Sequence, residues 1–347
     1  MTSITTASTP STPSASIGSS ILSSPPLLPD DKLLEDAQER LFRQLTDSTD
    51  DLAQVPVVFI LGAPRTGSTA FYQGVARYLQ LPYFTNLASS LFPTFPALTA
   101  PLQRQVQASI EIEFTSAYGK TEGAFQPSEA SGVLRNWFGG GHPSQLLSTT
   151  LLPGKKDHLI RTMAFFHQTF GAPLVIKNAW NCFRIAALAD ALPRAFFVWI
   201  RRDLVPSALS DLAARFIVQG NPGVWNSATP ANVEELRQLP YWAQVVENQF
   251  EFTRAIDTGL RHHATDRHAQ IWYEDYLRDP TGTLNELARA IGDRIPQSER
   301  SPLILGRPPR TPRPYSESDE TNLRGYVASQ EARLASLQYV PPSQAAA

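Results

Sequence analysis

The run Val57-Val58-Phe59-Ile60-Leu61-Gly62-Ala63-Pro64-Arg65-Thr66-Gly67-Ser68-Thr69 decides the fold. Its apolar opening, rich in β-branched residues, predicts a strand buried on both faces, and a glycine-bounded turn leads from it into a helix starting at Ser68. Glycines let the backbone turn tightly and aim successive N–H groups at one point, while the helix start adds the positive end of its dipole. The turn therefore reads as a cradle for a phosphate-like anion. Gly62 and Gly67 keep the four-residue spacing of a nucleoside-triphosphate loop, but that motif continues Gly-Lys-Ser/Thr, and here Ser68 stands at the lysine position. The cation is Arg65 instead.

Working outward, short apolar runs at 55–61, 173–176, 195–200 and 269–273 alternate with helical patterns at 68–79, 183–191, 206–216, 233–263 and 281–291. All four runs are apolar on both alternations, which predicts an α/β chain: a three-layer α/β/α arrangement around a central, mostly parallel sheet. Residues 87–170 carry no strand signal and read as a helical insertion, on the side where the loops of such sheets bind substrates. Helices are also expected at 31–45 and 317–337, the latter after a proline-dense connector at 302–314.

The third run continues Phe196-Phe197-Val198-Trp199-Ile200-Arg201-Arg202-Asp203. A triphosphatase keeps a magnesium-binding acid at such a strand end, whereas here two arginines precede the acid and favour a second anion. Ser210 follows Arg202 by eight residues, on the next helix, where its hydroxyl can reach the same pocket. The ligand expected is one with two phosphate-like groups at separate positions.

Composition narrows the partners. Thirty basic and thirty-two acidic side chains give a formal charge of −2, with no excess to hold nucleic acid or an anionic membrane non-specifically. Cys182 is the one cysteine, which excludes an internal disulfide or Cys-rich zinc site and fits a cytoplasmic setting. The longest apolar runs fall far short of the roughly 20 residues of a membrane-spanning helix. Residues 1–30 hold nine Ser, five Thr and five Pro and read as a disordered tail lacking the features of a secretory or transit signal. The expected organisation is a tail at 1–30, one domain at 31–300, and a Pro-rich connector with a terminal helix at 301–347.

With these pieces in place, the chain resembles the sulfotransferase family that uses 3′-phosphoadenosine 5′-phosphosulfate, a donor phosphorylated at both ends of its ribose. Residues 63–69 resemble the family's 5′-phosphosulfate loop. Arg202 to Ser210 resembles its 3′-phosphate motif, with Leu204 in place of a common proline. Tyr273-Glu274-Asp275-Tyr276 with Asp279-Pro280 and Thr283-Leu284 is similar to its Tyr-Glu-Asp-Leu…Asp-Pro…Thr-Leu segment, read here as architectural, with Asp279 capping the next helix. The resemblance implies a P-loop-like nucleotide-binding fold and a donor site of Arg65, Thr66, Gly67, Ser68, Thr69, Arg202 and Ser210. It also marks Pro173-Leu174-Val175-Ile176-Lys177-Asn178-Ala179, because the matching strand of cytosolic members ends Lys-Thr-His. Lys177 would then stand by the leaving oxygen, while Ala179 replaces the histidine base.

An alcohol attacking sulfur needs a proton acceptor, so the base must come from elsewhere. Glu129, in Pro127-Ser128-Glu129, resembles the Pro-x-Glu base of glycan-modifying and bacterial members and is the first candidate, although a carboxylate in a first helical turn also simply suits the dipole. Glu122 and His142 are the other candidates; the remaining histidines lack metal-site spacing and read as structural. Arg65, Lys177 and the N–H groups of 66–69 would stabilise the leaving charge without a metal ion. Tyr118, Trp137, Phe138 and Trp180 are candidates for a pocket taking a glycan or small hydroxylated metabolite, and equally for core packing. Two readings stand beside an active sulfotransferase: a nucleotide kinase or triphosphatase, and a catalytically silent nucleotide-binding homologue.

Overall fold

The computed structural model describes residues 30–46, 48–114, 121–140, 148–226, 228–292 and 313–337, together with 295, 303 and 305. In chain order, α1 (Asp31–Phe42) and α2 (Thr49–Leu52) precede β1 (Val57–Leu61) and α3 (Ser68–Tyr78). The insertion follows, with α4 (Asn86–Leu91), α5 (Ala100–Val106), α6 (Ser131–Phe138) and α7 (Lys155–Phe170). Next come β2 (Leu174–Lys177), a 3-10 turn at Ala179–Phe183, α8 (Ile185–Ala191), β3 (Ala195–Arg201) and α9 (Leu204–Gln219). The chain closes through α10 (Val233–Leu236), α11 (Tyr241–His263), β4 (His268–Trp272), α12 (Tyr273–Arg278), α13 (Pro280–Ile291), α14 (Glu317–Ala328) and α15 (Glu331–Ser336).

The four strands form one parallel sheet in the order β2-β1-β3-β4. Every residue of β1, β2 and β3 is buried. Alternation sends Phe59 and Leu61 to one layer, against α7, α8 and α11, and Val58 and Ile60 to the other, against α3 and α13. A third apolar cluster joins α9, α11 and α14 through Leu212, Phe250 and Leu323. From β1 the chain moves to β2 on one side, then passes back to β3 on the other, which opens a crevice at the C-terminal ends of β1 and β3. Ile60 pairs with Lys177 and Leu61 with Trp199, so the phosphate turn, Lys177 and Arg202 emerge at one sheet edge.

Three expectations are corrected. β4 is an edge strand, and only Ile271 and Trp272 are buried, so it is not covered on both faces. The helix expected over 233–263 is two, because Pro240 starts α11 afresh after the short α10. The terminal helix is likewise divided, at residues 329–330, between α14 and α15. Asp279 does cap α13, accepting from the Gly282 N–H at 2.8 Å with Pro280 at the first helical position.

Candidate active site

The phosphate turn is fixed by backbone geometry. Arg65 and Gly67 lie in the left-handed region at φ 67° and 81°, and Gly67 heads α3 without any side-chain cap. The first N–H groups of α3, from Ser68 onward, thus have no partner within the helix and converge on the turn's mouth. A Cβ on Gly67 would lie 2.2 Å from the Tyr273 ring, and one on Gly62 2.7 Å from both Ile200 and the Thr66 hydroxyl, so both positions need glycine for space. Thr66 is turned inward: its N–H and hydroxyl both donate to the Ala63 carbonyl, at 3.3 and 2.8 Å. These two bonds hold the turn. Beneath the turn, the Gly62 N–H donates to Cys182 Sγ at 3.4 Å, and burial pushes that thiol up to about 12.

Arg202 and Ser210 meet this turn directly. Arg202 Nη1 donates to the Arg65 carbonyl at 2.9 Å, and Arg65 Nε donates to Ser210 Oγ at 3.1 Å. The Arg202 guanidinium lies 5.2 Å from the Tyr273 ring centre. Burial works against the Arg202 charge, and the nearby Arg65 adds to that, while Tyr273 and Glu274 oppose it. A site that disfavours its own cation in this way rewards an incoming anion. Tyr273, read from sequence as architectural, is therefore part of this wall: its ring stands on Gly67 and under Arg202. The signal was its place directly after the fourth strand.

Arg201 parts company with its neighbour. It is 5% exposed, with its guanidinium 4.5 Å from the Trp199 ring and 4.8 Å from Trp272. It donates to the Leu337 carbonyl at 2.8 Å and to Gln270 Oε1 at 3.3 Å. The expected pair of arginines facing an anion is thus corrected to Arg202 alone, because Arg201 still belongs to the strand and follows its alternation.

On the other side of the turn, Lys177 is 6% exposed at the end of β2. Its ammonium donates to Thr69 Oγ1 at 3.2 Å and forms an ion pair with Glu129 Oε1. Glu129 arrives from the insertion and is held by its backbone: Asn178 Nδ2 donates to its carbonyl at 2.9 Å and to Ser131 Oγ at 3.2 Å. Tyr72 OH donates to the preceding carbonyl, of Ser128, at 3.2 Å. Burial first, then Tyr83 and Glu129, raise the Tyr72 phenol well above its ordinary value, so it stays a donor. Ala130 follows with φ 54°, a conformation rare for a residue with a Cβ. Asn178 and Tyr72 are site residues that sequence reasoning missed; Asn178 stood beside Lys177 in the decisive string.

Other candidates separate. Glu122 is exposed. His142 and Tyr118 lie outside the described residues. Trp137 and Phe138 are both fully buried, which corrects their place in an acceptor pocket. Trp137 Nε1 pairs with His158 Nδ1 at 2.8 Å, and Phe138 lies under the Arg184 guanidinium at 4.3 Å. His158 is a half-buried histidine lowered to about 4, chiefly by burial. Trp180 is 8% exposed and its Nε1 has no partner among the described residues. Among those residues no three His, Cys, Asp or Glu side chains come together as a metal site, and no helix is long and apolar enough to cross a membrane.

Comparison with known proteins adds one firm result. A family model described as the sulfotransferase family matches residues 56–296. No curated protein matches the chain. Among solved structures, sulfotransferase STF1 from Mycobacterium tuberculosis H37Rv is 17% identical, with a TM-score of 0.44 over 75% of this chain and 73% of its own. A sulfotransferase from Alicyclobacillus acidocaldarius is 16% identical, with a TM-score of 0.41 over 83% of this chain and 97% of its own. At such values nothing about activity passes from either structure to this chain.

Proposed function

The chain belongs to the sulfotransferase family, and from that premise we propose that it moves the sulfuryl group of 3′-phosphoadenosine 5′-phosphosulfate onto a hydroxyl of a glycan or small hydroxylated metabolite by in-line displacement. The observation that carries the reading is the joining of two anion-binding features at one edge, where Arg202 donates to the Arg65 carbonyl and Arg65 donates to Ser210. Arg202 and Ser210 would hold the 3′-phosphate; the uncapped start of α3, with Ser68 and Thr69, would hold the 5′ end. The donor supplies the sulfuryl group and, in its 5′-phosphate, the leaving group.

Glu129 accepts the proton of the acceptor hydroxyl, whose oxygen then forms the new bond to sulfur. The bond from sulfur to the 5′-phosphate oxygen breaks, and its electron pair stays on that oxygen beside Lys177. Two of the three ammonium N–H groups of Lys177 serve Thr69 and Glu129, which leaves one for the leaving oxygen. Preorganised donors of this kind each contribute roughly 10²-fold to rate. Asn178 keeps Glu129 over the site, and no metal ion enters the scheme. A cytoplasmic setting belongs to the same proposal, supported by the single buried cysteine.

Calorimetric titration with adenosine 3′,5′-bisphosphate, and separately with ATP and magnesium, tests the donor. We expect the bisphosphate to bind more tightly and Arg202→Ala to weaken it at least tenfold, the scale of one lost charge-assisted contact. Tighter, magnesium-dependent ATP binding would overturn the reading. Turnover against a panel of sugars and phenols separates an active enzyme from a silent nucleotide binder.

A further inference from the structure

The stretch 121–130 that delivers Glu129 forms neither helix nor strand, apart from an isolated bridge between Pro127 and Thr85. Irregular backbone has to find its hydrogen bonds one at a time, and here every carbonyl from 125 to 129 has found one. Tyr83 OH donates to the Phe125 carbonyl at 3.0 Å, the Asn86 N–H to that of Gln126 at 3.1 Å, and Thr121 Oγ1 to that of Pro127 at 2.7 Å. Tyr72 OH donates to the Ser128 carbonyl at 3.2 Å, and Asn178 Nδ2 to that of Glu129 at 2.9 Å. Donors on successive carbonyls fix the path of the chain right up to the carboxylate.

One of these donors belongs to the helix of the phosphate turn. Tyr72 lies on α3 and is 1% exposed, its ring packed in the apolar layer that α3 shares with α13. Three residues before it, Thr69 Oγ1 accepts from Lys177 at 3.2 Å, and positions three apart share a helix face. One face of the opening turns of α3 therefore meets both members of the Lys177–Glu129 pair, the lysine directly and the glutamate through the carbonyl before it. The other donors, Tyr83, Asn86, Thr121 and Asn178, all stand outside α3. A ligand that orders the head of this helix acts on the same rigid unit that holds Ser128.

We infer that Tyr72 is a positioning residue for the transfer: through the Ser128 carbonyl its phenol sets the Glu129 carboxylate from the helix whose uncapped start takes the 5′ end of the donor. This rests on the donor and base assignments above. Donor seating and base placement are then linked through one helix. Without the phenol a buried carbonyl loses this donor and Glu129 is held less closely, while the anion contacts at the head of α3 stay in place. Conversely, a phosphate seated at that head steadies the stretch that carries the base.

Tyr72→Phe keeps the ring and removes the bond; Tyr83→Phe removes the same kind of bond from Phe125, farther from the carboxylate and off α3, and is the matched control. We expect Tyr72→Phe to lower kcat roughly tenfold with adenosine 3′,5′-bisphosphate affinity changed less than about threefold, and Tyr83→Phe to lower kcat less than about twofold. Equal losses in the two variants, as a merely structural role would give, or full turnover in Tyr72→Phe, overturn the inference. On a Glu129→Gln background the Tyr72→Phe change should cost less than about twofold, because it acts through the base, and an undiminished loss there overturns the inference as well. Hydrogen exchange on the full chain needs no acceptor. The bisphosphate should slow exchange at the Glu129 and Ala130 amides roughly threefold or more in the wild type and not in Tyr72→Phe. Equal slowing in both, or none in the wild type, overturns the inference. A wild-type protein that does not bind the bisphosphate removes the donor reading itself, and this inference with it.

Discussion

The two sides of the sheet edge are built by different means. The side proposed for the donor is a product of backbone: Arg65 and Gly67 in left-handed conformations, a helix begun without a cap, and hydrogen bonds between neighbouring strand ends. The side proposed for the acceptor is a product of side chains meeting across 48 residues of sequence, Glu129 with Lys177, and it exists only once the insertion has docked. The donor side is preset by local chain geometry; the acceptor side depends on tertiary packing through Asn178 and Tyr72. Damage to the first should abolish nucleotide binding, and damage to the second should spare it.

The sharpest separation comes from Glu129→Gln, expected to lower transfer by 10³-fold or thereabouts while the bisphosphate affinity stays within about threefold. Single-turnover rates and calorimetry on the same preparation check both halves, and parallel loss of the two would erase the distinction. Gly67→Ala attacks the other side. Its new Cβ collides with the Tyr273 ring and its backbone is held at φ 81°, so a loss of bisphosphate affinity of about 100-fold is expected. Retained affinity would show that the turn adapts.

Arg201→Met probes the border between binding and architecture. The variant loses contacts to two indole rings and to the Leu337 carbonyl, and urea unfolding should show a cost of about 3 kcal/mol with bisphosphate binding little changed. A tenfold loss of affinity would return Arg201 to the anion site. The smallest effect is a pH dependence within the insertion. The His158 imidazole titrates near 6.5 when unfolded and near 4 when folded. Its contribution is therefore whole above pH 6.5 and is lost as pH falls toward 4, by about 2 kcal/mol between pH 7 and pH 5. Urea midpoints across that range, flatter in His158→Asn, would measure it.

What the sequence discloses follows from this contrast. Runs such as 57–61 and 195–201 are legible because strands covered on both faces lose their polar alternation. β4 breaks that rule at its exposed start, where His268 and Gln270 reflect an edge. The glycine turn is legible because each glycine answers a local need for space or positive φ. Arg201 and Arg202 are indistinguishable by type, and only the end of the strand register assigns one to the core and the other to the mouth. The pairing of Glu129 with Lys177 leaves no local pattern at all, which is why several bases stood open. Trp137 and Phe138 mislead for a related reason, since an aromatic side chain looks the same whether it lines a pocket or fills a core.

Cys182 gives the protein a reporter of its own. Its sulfur touches both the N–H and the carbonyl of Gly62, is 1% exposed and is held as the unreactive thiol. An alkylating dye can reach it only when the packing around it opens, and the glycine turn is part of that packing. The labelling rate of this single thiol therefore reports on opening around the turn, and a molecule that seats on the turn and steadies it should slow the rate without a label being engineered.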